Sequence, residues 1–195
     1  AYETCWSLVG SEMCIRDSLT TLRSTPNMHT WRAASLLETA VAWKSAIQRN
    51  DGPSSLILTR QNIDNIENKS FDEVSRGGYF LRKFDDSNIQ LIATGSEVSL
   101  ALEAAEILEQ EGVKCNVVSV PCIEVLETNK QIYKEIFSES KINIAIECSH
   151  PNSWYAHTKN VIGIEEFGES GKGHILMEHF GFTPKKIVEK IKSFL

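Results

Sequence analysis

Apolar residues at Leu37, Ala40, Val41, Trp43, Ala46 and Ile47 recur at threes and fours through "LLETAVAWKSAIQRN", which predicts a helix ended by "NDGP". "SSLILTR" follows as a short apolar run bounded by turn residues, the pattern of a buried strand. The polar, charge-mixed stretch "QNIDNIENKSFDEVSRGG" then breaks the rhythm and reads as a linker, with a helical turn near Phe71 to Val74. After Gly78 a second series begins. "YFLRKF" predicts an edge strand and "NIQLIATG" a central one. "SEVSLALEAAEILEQEG" predicts a helix, with Ser96 as N-cap, a stripe of Val98, Ala101, Leu102, Ala105 and Leu108, and Gly112 as the stop. Next come a strand in "VKCNVVSVP", a helix in "VLETNKQIYKEIF", and strands in "KINIAIEC" and "NVIGIEEFG". The chain closes with helices in "HILMEHFG" and "TPKKIVEKIKSFL", Thr183 capping the last with Pro184 at its first position. Strands alternating with helices across short loops predict an α/β fold with a mostly parallel sheet covered on both faces.

Composition narrows the class. The 195 residues are 42% hydrophobic and 24% charged, as in a globular protein with a real core. The net charge of −6 argues against nucleic acid or an anionic membrane as the main partner. No apolar run approaches the roughly 20 residues that span a bilayer. The five cysteines (Cys5, Cys14, Cys115, Cys122 and Cys148) contain no C-x-x-C pair, so neither a disulfide framework nor a zinc site is expected, and a reducing cytoplasm is. Cys115 and Cys122 read as buried free thiols.

Candidate chemistry is sparse. "GESGKG" fails as a phosphate loop, because Glu166 stands where the first glycine belongs and Gly173 where magnesium needs Ser or Thr. His29, His150, His157, His174 and His179 have no zinc-type spacing. The strand-Gly-Ser-helix turn in "LIATGSEVS" could hold an anion at the helix N-terminus, although such turns are common in α/β units. Arg60 differs in kind. It stands at the carboxyl end of the predicted buried strand "SSLILTR", the end where α/β sheets bind ligands, and its planar fork suits either a phosphate or a nearby carboxylate.

The residues "TPNMHTWR…ETAVAWKSAIQRNDGPSSLILTRQN" resemble the end of the pyrimidine-binding domain of transketolases. "RGGY", "LIATGSEVSLALEAAEILEQEGVKCNVVSVP" and "FGESG…FGFT" resemble their C-terminal domain, so the resemblance runs from Leu19 to Leu195. It implies residues 19–62 as the end of the pyrimidine-binding domain, 63–78 as a linker and 79–195 as a three-layer α/β C-terminal domain. It further implies a cytoplasmic homodimeric parent enzyme that moves a two-carbon ketol unit between sugar phosphates with thiamine diphosphate and Mg²⁺. In that resemblance Arg60 matches the arginine that binds the sugar phosphate. The family's cofactor motif and its catalytic residues have no counterpart here, so the chain alone is expected to be inactive. Two details depart from the pattern: Thr59 stands where serine is commoner, and "WRAAS" replaces a "WRP-x-D" turn. Deoxyxylulose-phosphate synthase and other thiamine enzymes are the neighbouring alternative, but they usually carry a "RPLD"-like turn where this chain has "VPCIEVLE". The other alternative is the non-catalytic half of a split transketolase.

"LVGSEMCIRDS", Leu8 to Ser18, fits neither a helical nor a strand period and lacks the layout of a targeting signal. It is similar to the conceptual translation of a sequencing-library transposase adapter. Residues 1–18 are therefore expected to be foreign to the protein. The piece 19–62, cut off from the rest of its sheet, is expected to be poorly ordered and to expose an unpaired edge and apolar faces.

Overall fold

A computed structural model describes residues 15–59, 69–166, 169, 171 and 173–195. The main sheet has five strands: β3 (Tyr79–Arg82), β4 (Ile89–Ala93), β5 (Cys115–Ser119), β6 (Ile142–Ile146) and β7 (Asn160–Ile162). Their spatial order is β3-β5-β4-β6-β7. β3 runs antiparallel at one edge, and the other four are parallel, with Ile89 level with both Cys115 and Ile142.

Every residue of β4 and β5 is buried because helices cover both faces. Leu91, Ala93, Val117, Ile144 and Ile146 face α4 (Glu97–Gln110) and α8 (Pro184–Lys192), which contribute Val98, Ala101, Leu108, Ile187 and Ile191. On the other face, Ile92, Val118 and Ala145 meet Ile123, Leu126 and Ile136 of α5 (Ile123–Thr128) and α6 (Lys130–Ile136). Gln90 is a polar residue on that second face, and its amide donates to the carbonyl of Ile136 at 2.5 Å and to Asn143 Oδ1 at 3.1 Å. Burying it is tolerable only because its donors are matched.

Ahead of this domain lie α1 (Ile15–Ser24), β1 (His29–Arg32), α2 (Leu36–Gln48) and β2 (Ser54–Ile57). β1 and β2 form a separate two-stranded parallel sheet, His29 opposite Ser54. The segment packs against the five-stranded domain instead of standing apart from it. The reason is the third core cluster, in which Trp31, Val41 and Ala42 pack with Val74, Tyr79 and Cys122. α3 (Phe71–Val74) sits in the same cluster; Ser70 caps it, with a reciprocal bond from the Ser70 amide to Glu73. The expectation of exposed apolar surface holds. Leu36, Ala40, Trp43 and Ile47, on the helix face away from buried Val41 and Ala42, lie open, Leu36 at 81% and Ile47 at 76% of full exposure.

Three local readings change. "VLETNKQIYKEIF" forms two helices, because Asn129 (φ −92°, ψ 71°) leaves the helical region and its amide donates to the carbonyls of Val125 and Arg76. Ser96 occupies the N-cap position of α4, but its hydroxyl donates to Glu97 Oε1 at 2.6 Å instead of capping a backbone amide. Thr183 likewise stands at the N-cap of α8, with Pro184 at the first position, yet makes no side-chain cap bond. Residues 1–14, Arg60 and the 61–68 part of the linker lie outside the described residues, as do Phe167, Gly168, Ser170 and Lys172 around the "GESGKG" turn.

Leu91 is fully buried between the flanking strands and α4. Leu91→Ala should lower unfolding free energy by about 2–5 kcal/mol. A urea titration followed by far-UV circular dichroism checks this, with an unchanged slope showing that the loss is one of stability rather than compactness.

Candidate functional site

β2 ends at Ile57, and the chain leaves its carboxyl end through Leu58 and Thr59. Arg60 comes next and lies outside the described residues, so its side chain has no assigned neighbours. The turn rejected as a phosphate loop is also only partly described.

The anion reading of "LIATGSEVS" is replaced by an ion cluster. Glu97, in the first turn of α4, and Glu147, just past β6, are buried side by side at the carboxyl ends of the parallel strands. Arg32, from the end of β1, reaches between them. Its Nη1 donates to Glu97 Oε2, to Glu147 Oε1 at 3.1 Å and to the Thr94 carbonyl at 3.4 Å. Arg23, from α1, adds a two-pronged bond to Glu147, Nη1 to Oε2 at 2.5 Å and Nη2 to Oε1 at 2.8 Å. Trp154 Nε1 and the Ser149 hydroxyl also donate to Glu147 Oε2, at 2.6 and 2.7 Å. Burial alone would raise the Glu147 pKa, but the two guanidinium groups and these donors outweigh it and hold it at about 2. Burial would likewise weaken the Arg32 charge, and Glu97 and Glu147 more than restore it. The cluster therefore holds two positive and two negative groups out of water.

A third buried carboxylate, apart from this cluster, belongs to Glu38 on α2. It accepts from Tyr79 Oη at 2.7 Å, Ser119 Oγ at 2.6 Å and the Ala34 amide at 2.5 Å. Burial raises its pKa despite those three donors. The altered "WRAAS" turn is intact here, because Ser35 caps α2 by accepting from the Glu38 amide at 3.2 Å. Serine does the work an aspartate would do at that position.

Elsewhere the chemistry is quiet. Burial pushes the Cys115 thiol to about 11 and Cys122 well above its usual range, so both are inert buried thiols. His157 is packed among Tyr133, Phe137 and Trp154. Among the described residues no three His, Cys, Asp or Glu side chains converge on a metal position. A cavity of about 520 Å³ between α4, α8 and α7 (Gly173–His179) is walled by Leu100, Met177, Phe182 and Pro184, with Ser96, Ser99 and His174. No helix of the described residues is long and apolar enough to cross a membrane.

Glu147 and Glu38 pull stability in opposite directions as pH changes. Glu147 ionises at lower pH in the fold than its ordinary 4.5, so its contribution is in place above 4.5 and is lost as pH falls towards 2. Glu38 has a raised value, so its contribution is in place below 4.5 and is lost as pH rises through that raised value. Glu147→Gln should therefore melt at lower temperature at pH 7 and show a flatter decline in acid. Glu38→Gln should show a steeper acid decline than the parent chain. Thermal melts at intervals between pH 7 and pH 2.5 measure both.

Residues 77–183 match the model of the transketolase-like C-terminal domain. A "Transketolase 1" of Pasteurella multocida is 43% identical over 185 residues, covering 89% of this chain, and a "Transketolase 2" of Vibrio vulnificus is 42% identical over 92% of it. The chain spans 28% of the length of these relatives. The structure of a Pichia stipitis transketolase in complex with sedoheptulose 7-phosphate superimposes with a TM-score of 0.87 at 35% identity, over 92% of this chain and 27% of that one. A split-gene transketolase described as an inactive β4 tetramer shares the fold, with a TM-score of 0.75 at 21% identity, and this chain covers 61% of its length. The mostly parallel sheet, its covered faces and the matches over transketolases' C-terminal portion agree: this chain belongs to the transketolase C-terminal domain family.

Proposed function

We propose that this chain is the C-terminal portion of a cytoplasmic, homodimeric transketolase that moves a two-carbon ketol unit between ketose and aldose phosphates. The observation that carries this reading is coverage. Some nine-tenths of the chain aligns with transketolases of which it spans 28%. Within it, residues 19–62 act as the end of the pyrimidine-binding domain, 63–78 as linker and 79–195 as the C-terminal domain.

The parent enzyme's thiamine diphosphate and Mg²⁺ supply the carbanion chemistry when bound. The described residues do not fit these groups. The carboxylates that converge, Glu97 and Glu147, are already neutralised by two arginines, and the described side chains offer no cluster for a metal. No catalytic step is assigned to this chain. Its contribution to the reaction is binding, through Arg60, whose guanidinium fork would hold the substrate phosphate beyond the carboxyl end of β2. A split arrangement, with the cofactor-bearing part on a second polypeptide, is the alternative. A split-gene transketolase shares this fold.

Three measurements test these readings. Sequencing of unfragmented source DNA across the Ser18–Leu19 junction should give pyrimidine-domain codons upstream; a read that reproduces "LVGSEMCIRDS" overturns the adapter origin of residues 1–18. The chain alone should show no ketol transfer from xylulose 5-phosphate with thiamine diphosphate and Mg²⁺ added. In the uninterrupted enzyme, Arg60→Ala should cut kcat/KM for phosphorylated sugars by about 10- to 100-fold, chiefly through KM, as expected for loss of a charged hydrogen bond. An equal loss on unphosphorylated ketoses would remove Arg60 from the phosphate role.

A further inference from the structure

In an open parallel sheet, ligands settle in the crevice where neighbouring strands send their connections to opposite sides. Here that point lies between β4 and β6. From β4 the chain crosses through α4 to β5 on one side, and from β6 it continues to β7 on the other. The crevice is filled by an arginine of the leading segment. The division of labour is complete: the carboxylates, carbonyls and hydroxyls come from residues 94–153, and both guanidinium groups come from residues 23 and 32.

The crevice is shaped for a flat cation. Gly95 (φ +57°) turns its backbone against the Arg32 guanidinium, and a Cβ there would stand 3.2 Å from both Cζ and Nε. Any other residue would be strained at that positive φ and would push the guanidinium back by a few tenths of an ångström. Around the same residue the backbone is clasped: the Arg32 amide donates to the Pro121 carbonyl at 2.8 Å. Its carbonyl accepts from the Gly95 amide at 3.1 Å and the Thr94 hydroxyl at 3.3 Å. Arg23 closes the other side of Glu147, bonds Ser153 Oγ at 3.2 Å and lies 5.4 Å from the centre of the Trp154 ring. Arg32 bonds its three acceptors through Nη1 alone, so an ammonium ion could match the charge and those bonds but not the flat guanidinium face that lies against Gly95.

We propose that the crevice between β4 and β6 is a guanidinium-binding socket, which docks the β1–α2–β2 segment by recognising arginine rather than positive charge in general. The domain's ligand crevice thus serves as an internal joint.

The test uses the full chain with Arg32→Ala, which empties the socket and leaves two buried carboxylates facing one arginine. Its melting temperature should fall by about 10 °C or more. Ethylguanidinium at low millimolar concentration, far below denaturing levels, should restore at least half of the loss along a saturating curve. Ethylammonium and sodium chloride at equal ionic strength should not. If Arg32→Ala does not fold unaided, the readout becomes the yield of folded protein on dilution from urea with each cation. Adding Glu97→Gln to Arg32→Ala restores charge balance and should abolish the ethylguanidinium response. Equal rescue by ethylammonium, rescue by neither cation, or a response that survives Glu97→Gln overturns the proposal.

Discussion

Glu147 sits with no exposed side-chain surface and accepts hydrogen bonds from four side chains: Arg23 on α1, Arg32 on β1, and Ser149 and Trp154 on the stretch after β6. A buried charge of this kind costs several kcal/mol to dehydrate and is tolerated only when its partners are fixed. The cluster therefore constrains everything near it. β4 and β6 must end level, so that Glu97 and Glu147 face the same point, and their register of Ile89 with Ile142 and Ala93 with Ile146 does this. β1 must arrive with Arg32 at its carboxyl end. α1 must run so that Arg23 reaches the opposite oxygens of the same carboxylate. None of these requirements comes from apolar packing, which would tolerate small shifts that the charges do not.

The Glu38 site constrains the same seam from the other side of the arriving strand. Tyr79 and Ser119 are paired neighbours on β3 and β5, and both donate to one oxygen of Glu38. The first cluster keeps its carboxylate charged with cations, whereas the second uses neutral donors, so the two respond to pH with opposite sign. Between them lies the apolar contact of Trp31, Val41 and Cys122. A seam with a hydrophobic centre and two polar anchors fixes orientation as well as position, because rotating one body on the other would break both anchors at once.

The apolar pattern carried the architecture. The helix over 97–110, the buried runs that became β4, β5 and β6, and the polar break before Gly78 all follow from period and composition. Two of the misreadings share one cause, a local polar competitor. Asn129 satisfies its amide by interrupting a helix that periodicity would continue, and Glu97 draws the Ser96 hydroxyl away from its capping role. The buried charges were harder to see. Glu147 directly follows the apolar run "INIAI", and Arg32 directly follows "HTW", so each looks like a strand simply reaching water. A charged residue at the end of a buried strand is the available signal; Arg60 carries the same signal, although the strand expected to be buried ahead of it, β2, is only half-buried along its length. What sequence lacks is the pairing: nothing local links residue 32 to residues 97 and 147.

The leading segment is finished on one side and open on the other. Its Glu38, Val41 and Ala42 face is buried, while Leu36, Ala40, Trp43 and Ile47 form an exposed apolar stripe, and the two-strand sheet has no further strand among the described residues. A two-stranded sheet is marginal by itself. The docked face supports it here: polar anchors and the Trp31 cluster hold one side of the segment against the domain. The order of dependence is then clear. The five-stranded domain is complete in its own core, its carboxyl-end crevice holds Arg32, and Arg32 holds β1. β1 in turn templates β2, whose carboxyl end leads to Arg60. The carboxyl end of β2 thus inherits its position from a buried ion cluster at the end of another sheet.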